Sequence, residues 1–253
     1  MQGQDAERTQ AIGTALQKRA AGDQEGALLT LQTALNQSPH DVTLLRDVAV
    51  QALQLKRLKL ADSVAREAHT LDPADLETLY ALARIESEED LFLASRKDFE
   101  TYLAARPADA SAHYGLGHLL QRNQDVDGAT AEFQRSIELQ PVQTESYYQL
   151  GQIALDGHHD SEAKLLFERT LTRAPQHGGA LTGLGILAYR EHQYGQAQVF
   201  LERAISTSPD YQPAHYYLGL ALNRLGQKER SEQQMTLAKE LAEKLQGKSQ
   251  PLP

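Results

Sequence analysis

The chain of 253 residues contains no cysteine, and this absence excludes several kinds of chemistry at once. Without thiols the protein has no disulfide, no thiolate nucleophile and no cysteine-bound zinc. The compartment stays open, because a cytoplasmic chain and an exported chain whose leader has been removed both fit this composition.

Long apolar runs and an excess of basic residues are missing as well. No apolar run approaches the roughly 20 residues that span a bilayer, so we expect no membrane span. The formal net charge is −9, which argues against DNA or RNA as a partner because nucleic-acid binding rests on Lys and Arg neutralising phosphates. Tryptophan is absent and aromatic residues make up only 6% of the chain, whereas Ala, Leu and Gln are abundant and favour helices.

Six prolines follow one another at a constant spacing of 34 residues: Pro39, Pro73, Pro107, Pro141, Pro175 and Pro209. This period divides the chain into seven segments: 8–41, 42–75, 76–109, 110–143, 144–177, 178–211 and 212–245. Internal repetition of this length is typical of repeat architectures, so we read the chain as seven copies of one structural element.

At three positions, counted from the first residue of each segment, the size of the side chain recurs from one segment to the next. Position 8 is always small: Ala15, Ala49, Ala83, Gly117, Gly151, Gly185 and Gly219. Position 20 is also small: Ala27, Ala61, Ser95, Ala129, Ala163, Ala197 and Ser231. Position 24 is mostly bulky: Leu31, Ala65, Phe99, Phe133, Phe167, Leu201 and Met235. Small side chains at fixed positions allow helices to approach closely, and bulky ones fill the space between them.

Each segment therefore predicts two antiparallel helices joined by a short turn, such as RNQD at 122–125 and RLGQ at 224–227. The proline near the end of each segment stops the second helix.

The 34-residue period, the Leu-Gly pair of the first helix, the small residue at position 20, the bulky residue at 24 and the proline at 32 resemble the tetratricopeptide repeat. Position 4, where that family favours Trp, holds other residues, among them His113 and His215. The resemblance implies an all-α fold, a right-handed superhelical solenoid of seven antiparallel helix pairs. We expect one domain over 8–245, a short extension at 1–7 and a disordered tail at 246–253.

Several motifs could suggest catalysis or metal binding, but each has a structural explanation. The Gly-x-Gly at 115–117 has counterparts in other segments, so we interpret its glycines as packing contacts and not as a phosphate loop. We interpret His113 and His215 as fillers between helices, and the pair His158 and His159 as part of a turn. We predict no catalytic residue, no metal and no cofactor, and hence no enzyme.

One face of the first helices is the candidate binding surface. Repeat positions 2, 5, 9 and 12 share a helical face, which in the resembled family lines a concave groove. Four tyrosines fall at position 5. The predicted groove residues are Tyr80, Arg84, Tyr114, His118, Tyr148, Gln152, Tyr189 and Tyr216. Tyrosine is enriched in recognition surfaces, although these side chains could instead complete packing between successive first helices.

The sequence thus predicts a non-catalytic scaffold or adaptor that holds a peptide or protein segment in the groove. A self-assembling homo-oligomer is the alternative. The residues of the clamp that some family members use for acidic C-terminal peptides are not present. The acidic stretch ESEEDLF at 86–92 is either a solvated turn or a contact for a basic partner.

Overall fold

The computed structural model of the protein describes residues 2–248. Within this range the chain forms fourteen α-helices and no strand. The helices are α1 (Gln2–Ala20), α2 (Gln24–Gln37), α3 (Val42–Gln54), α4 (Leu58–Leu71), α5 (Leu76–Glu88), α6 (Phe92–Ala105), α7 (Ala110–Arg122), α8 (Val126–Leu139), α9 (Thr144–Asp156), α10 (Asp160–Arg173), α11 (Gly178–Arg190), α12 (Tyr194–Thr207), α13 (Gln212–Arg224) and α14 (Lys228–Lys248). They form seven consecutive pairs, one for each 34-residue repeat, which confirms the predicted helix pairs and their order.

Every pair is joined by a three-residue turn whose middle residue, at repeat position 15, has a positive φ. The seven residues are Gly22, Lys56, Asp90, Gln124, His158, His192 and Gly226. In the fourth repeat the amide of Asp125, which follows Gln124, donates to the carbonyl of Leu120 at 3.0 Å. This bond closes the first helix in the manner of a Schellman motif, and the short turn sends the second helix back along the first.

Four-residue connections lead from each repeat to the next, and the last residue of each connection is the N-cap of the following first helix. Asp41, Asp75 and Asp109 accept hydrogen bonds from the first backbone amides of α3, α5 and α7. The Nδ1 of His177 does the same for Ala180 of α11, at 3.1 Å. These caps help to fix where α3, α5, α7 and α11 begin.

The small positions identified in the sequence, and the bulky position 24 except for Met235, which is exposed, form the interior. All residues at positions 8 and 20 are buried. Phe99, Phe133 and Phe167 at position 24 are at most 1% exposed. A Cβ added to Gly151 would lie 2.7 Å from Cε1 of Phe167, so the ring packs directly on the glycine backbone. The predicted packing role of the glycines is confirmed.

The helices divide into two compact units, the N-terminal unit ending at Glu132 and the C-terminal unit beginning at Phe133. In the N-terminal unit, the first helices α1, α3, α5 and α7 contact one another in sequence. In the C-terminal unit, α9, α11 and α13 do the same. The prediction of one domain over 8–245 stays a prediction.

Both ends of the repeat region are more helical than the sequence predicted. Helix α1 begins at Gln2, so residues 2–7 of the expected extension belong to the first helix. Helix α14 continues to Lys248 and so includes residues 246–248 of the expected tail. Residues 249–253 lie outside the described part of the chain. Among residues 2–248, no helix is both long enough and apolar enough to cross a membrane.

Candidate functional site

The predicted groove residues lie on the first helices of five successive repeats. Helix α5 carries Tyr80 and Arg84, α7 carries Tyr114 and His118, and these four residues are here called the N-terminal tyrosine face. The C-terminal tyrosine face consists of Tyr148 and Gln152 on α9, Tyr189 on α11 and Tyr216 on α13. Tyr216 is 40% exposed, and the other seven are half-buried.

In the N-terminal tyrosine face, Tyr80 packs on the second helix of its own repeat. Its ring centroid lies 5.0 Å from that of Tyr102 and 6.0 Å from that of Phe99. The guanidinium carbon of Arg84 lies 5.8 Å from the Tyr80 centroid, within the range of a cation–π contact. Tyr80 therefore joins the interior on one side and a positive charge on the other.

The neighbouring helix α7 adds a second aromatic pair to this face. The rings of Tyr114 and His118, one helical turn apart, have centroids 6.3 Å apart. Burial, together with the positive charge of Arg122, lowers the pKa of His118. His118 is therefore a neutral imidazole at pH 7, with one nitrogen able to donate a hydrogen bond and the other able to accept one.

In the C-terminal tyrosine face, Tyr148 is tightly surrounded. Its ring centroid lies 4.5 Å from that of His177, and a Cβ added to Gly179 would lie 2.6 Å from the ring. Burial, followed by the neighbouring Tyr211 hydroxyl, raises the pKa of Tyr148. Tyr148 thus packs between α9 and α11, which is the packing role that the sequence left open as the alternative.

The remaining tyrosines of the C-terminal unit form an aromatic cluster larger than the sequence predicted. The ring centroid of Tyr189 lies 5.5 Å from that of Tyr194 and 6.1 Å from that of Tyr217, and the proximity of Tyr189 raises the pKa of Arg224. Tyr216 contacts Tyr217 edge to face at 5.4 Å. Gln152, in contrast, makes no side-chain hydrogen bond to any described residue. Sequence reasoning missed Tyr194 and Tyr217 because they occur at other repeat positions, and only the density of tyrosine in this part of the chain signals them.

His113 and His215 take up equivalent bridging positions inside the fold. The Nδ1 of His113 lies 2.6 Å from a carboxylate oxygen of Glu132, and its Nε2 lies 3.2 Å from the carbonyl oxygen of Pro107. His215 contacts Gln234 at 2.7 Å and the carbonyl of Pro209 at 2.8 Å in the same way. Each histidine thus connects the second helix of its repeat to the preceding proline turn, so it has a more specific role than a filler.

Among the described side chains, no three His, Asp or Glu residues are grouped so that they could hold a metal ion. The acidic stretch 86–92 is largely paired within the protein. Glu86 contacts Arg66 at 3.2 Å, Glu88 contacts Lys56 at 2.7 Å, and Asp90 pairs with Arg122. The expectation of a solvated turn is wrong for Glu86, which is 3% exposed and belongs to α5.

Comparison with known families adds evidence to this geometry. The profile described as tetratricopeptide repeat matches residues 80–144 and 182–244, which together make up just over half of the chain. The chain belongs to the tetratricopeptide repeat family. The match covers α7 and most of α5, both of which carry the N-terminal tyrosine face, and it also includes α13.

Solved structures share the repeat fold at low sequence identity. A tetratricopeptide repeat protein from Parabacteroides merdae is 17% identical, with 93% of each chain covered and a TM-score of 0.67. PilF from Pseudomonas aeruginosa is 18% identical over 84% of this chain and 96% of its own, with a TM-score of 0.70. YrrB, described as a tetratricopeptide repeat protein with an unusual peptide-binding site, is 22% identical over 73% of this chain and 95% of its own, with a TM-score of 0.54. Among curated protein sequences, none matches this chain significantly.

Proposed function

We propose that this tetratricopeptide repeat protein is a non-catalytic scaffold or adaptor that binds peptide or protein segments through its two tyrosine faces. The observation that carries the proposal is that half-buried or exposed tyrosines recur at position 5 of four first helices. Close packing of these helices is already supplied by the small residues at position 8. Tyrosine offers rigid contact area with a polar tip, which suits recognition of another chain. The structural neighbour YrrB, described as having an unusual peptide-binding site, adds support.

The residues of the two faces differ in how strongly their replacement is expected to lower the stability of the protein. Tyr148 packs against His177 and Gly179, so its replacement by Ala is expected to lower stability as well as any binding. Tyr216 is the most exposed of the eight residues, and Tyr114 belongs to the other unit. Tyr114→Ala and Tyr216→Ala are therefore the variants of choice.

The experiment is affinity capture from the lysate of the source organism with the wild type and these two variants. Leu93→Ala is the matched control, because Leu93 is an 80% exposed apolar residue on the second helix of its repeat. We expect Leu93→Ala to retain the captured proteins and at least one tyrosine variant to lose them, with unchanged helical circular dichroism. Capture that survives both tyrosine substitutions would contradict the proposal.

Light scattering across concentrations separates binding of a partner from self-assembly. A scaffold of this mass, 28.0 kDa, that acts on other proteins should scatter as one species at all concentrations. A mass that rises with concentration in the wild type, and not in Tyr114→Ala or Tyr216→Ala, would favour self-assembly through the same faces.

A further inference from the structure

The arginines of the N-terminal unit are almost all paired with carboxylates. Seven of the nine make such ion pairs: Arg8, Arg46, Arg57, Arg66, Arg96, Arg106 and Arg122. The remaining two, Arg19 and Arg84, have no carboxylate within ion-pair distance among the described residues. Both occupy the face of the first helices that carries the tyrosines, Arg19 at repeat position 12 and Arg84 at position 9. In the N-terminal unit, the arginines without a carboxylate partner among the described residues thus both lie on the tyrosine-bearing face of the first helices.

Arg84 has the more developed surroundings of the two. It is half-buried and lies against the ring of Tyr80, at 5.8 Å from the centroid. The Tyr80 hydroxyl makes no hydrogen bond to any described residue. Burial raises the pKa of Tyr80, so at neutral pH the hydroxyl keeps its proton and can donate it. A cation and a free hydroxyl donor therefore lie side by side.

The two carboxylates whose charges act on Tyr80, Asp109 and Glu77, already have partners. Glu77 pairs with Arg106 at 2.8 Å. Asp109 accepts a hydrogen bond from the Tyr102 hydroxyl at 2.7 Å and caps the amides of α7. The charge of Arg84 is therefore left for a group from outside the protein. A partly desolvated guanidinium makes strong, charge-assisted hydrogen bonds to a carboxylate.

We propose that the N-terminal tyrosine face binds its partner segment through an Asp or Glu side chain, which pairs with the Arg84 guanidinium and accepts a hydrogen bond from the Tyr80 hydroxyl. The inference rests on the proposed function and names the chemistry of the partner. The whole chain carries a net charge of −9, so the attraction is local, and the position of the acidic residue in the segment matters more than its total charge. The carboxylate belongs to a side chain and not to a chain terminus, because the residues of the terminal carboxylate clamp are missing.

The test is a selection of random peptides displayed with their C-termini fused to a coat protein, so that only side-chain carboxylates are available. The immobilised targets are the wild type, Arg84→Glu and Arg84→Gln. Arg169→Glu is the control, because Arg169 is an exposed arginine that stacks on Tyr147 and also lacks a carboxylate partner. We expect the wild type and Arg169→Glu to select peptides with Asp or Glu at one recurring position. Arg84→Glu should select Lys or Arg there instead.

Affinities of a selected peptide then measure each contact. Arg84→Gln should weaken binding about 10- to 100-fold, since a hydrogen bond to a charged group contributes about 1.5–3 kcal/mol. Tyr80→Phe removes only the hydroxyl and should weaken binding severalfold. Replacement of the acidic residue by its amide in the peptide should cost the wild type as much as Arg84→Gln does. The same peptide should bind Arg84→Gln equally with or without that replacement, which is the signature of a direct pair.

Two failures are distinguishable. Peptides that lose binding to Tyr114→Ala but bind Arg84→Gln and Arg84→Glu unchanged would overturn the acidic-residue inference and leave the proposed function standing. Peptides whose affinity is unchanged by substitution of Tyr80, Tyr114 and Arg84 would overturn both the acidic-residue inference and the proposed function. Circular dichroism of each variant tests for misfolding, and Arg84→Gln keeps a polar side chain without a reversed charge if Arg84→Glu fails to fold.

Discussion

At the scale of single residues, Glu86 places a carboxylate inside the contact between the second and third repeats. One oxygen meets Arg66 of α4, and the other, Oε2, is buried without a hydrogen-bond partner among the described residues. Burial and then the nearby charge of Asp98 raise the pKa of Glu86 above its ordinary value of 4.5, while Arg66 opposes them. The folded protein therefore holds the Glu86 proton more tightly than the unfolded chain does.

Glu86→Gln should consequently stabilise the protein at pH 7, by about 1 kcal/mol, because it removes a buried charge that is only partly compensated. The raised pKa means that wild-type stability recovers as the pH falls through the folded pKa, so the advantage of Gln should shrink toward pH 4.5. Urea unfolding of both proteins at several pH values measures this difference in the free energy of unfolding. The control is Glu89→Gln, three residues later, whose carboxylate has no described partner. A variant less stable than the wild type at pH 7 would show that the Arg66 pair outweighs the cost of burial.

A second residue-scale prediction concerns the positive φ at position 15. Gln124 has φ of +64°, and no described contact involves its side chain. Gln124→Gly should raise the free energy of unfolding by about 1 kcal/mol, because glycine adopts this conformation without the penalty of a Cβ. Gln121→Gly, three residues earlier and inside α7, is the matched control and should cost about 1 kcal/mol through helix propensity. Equal effects of the two substitutions in thermal unfolding would contradict the assignment of strain to the turn.

At the scale of helices, the close contacts of glycines decide how the pairs pack. A Cβ on Gly183 of α11 would lie 2.3 Å from Cε2 of Phe167, whereas nothing lies within 4 Å of a Cβ on Gly195 of α12. Gly183→Ala should therefore destabilise the protein by about 1–3 kcal/mol through overpacking. Gly195→Ala should instead stabilise it by up to about 1 kcal/mol. The two variants differ only in position, so opposite shifts of the urea midpoint are the decisive result, and shifts of the same sign would count against this packing.

Helix ends show which features a single sequence can reveal. Asp41, Asp75 and Asp109 are 34 residues apart and cap α3, α5 and α7, so the 34-residue period is sufficient to predict these caps. The cap of α11 could not have been predicted in this way, because the Nδ1 of His177 accepts a hydrogen bond from the Ala180 amide only when the ring has one orientation. The orientation depends on Glu145 and Tyr148, which lie on another helix.

At the scale of the whole molecule, the fold followed from periodicity because each repeat makes the same local contacts. The candidate site could be predicted from this periodicity only in part. Repeat positions correctly placed Tyr80 and Tyr114 on the first helices, but the surroundings of a side chain depend on residues from neighbouring repeats that no spacing predicts. Tyr148 is tightly packed because Gly179 leaves room for its ring and Tyr211 supplies a hydroxyl.

Within each unit, the main helix–helix contacts among residues 2–248 join helices one or two places apart along the chain. Stability in such arrays is close to a sum of repeat and nearest-neighbour contributions. Gly183→Ala should therefore accelerate amide hydrogen exchange in α11 and in its contact partners α9, α10, α12 and α13, and leave α1 to α4 unchanged. Mass spectrometry of peptic fragments measures both groups in one experiment, with Gly195→Ala as the control that accelerates neither. A uniform increase along the chain would mean that the protein opens as one cooperative body and that the local contacts do not set its dynamics.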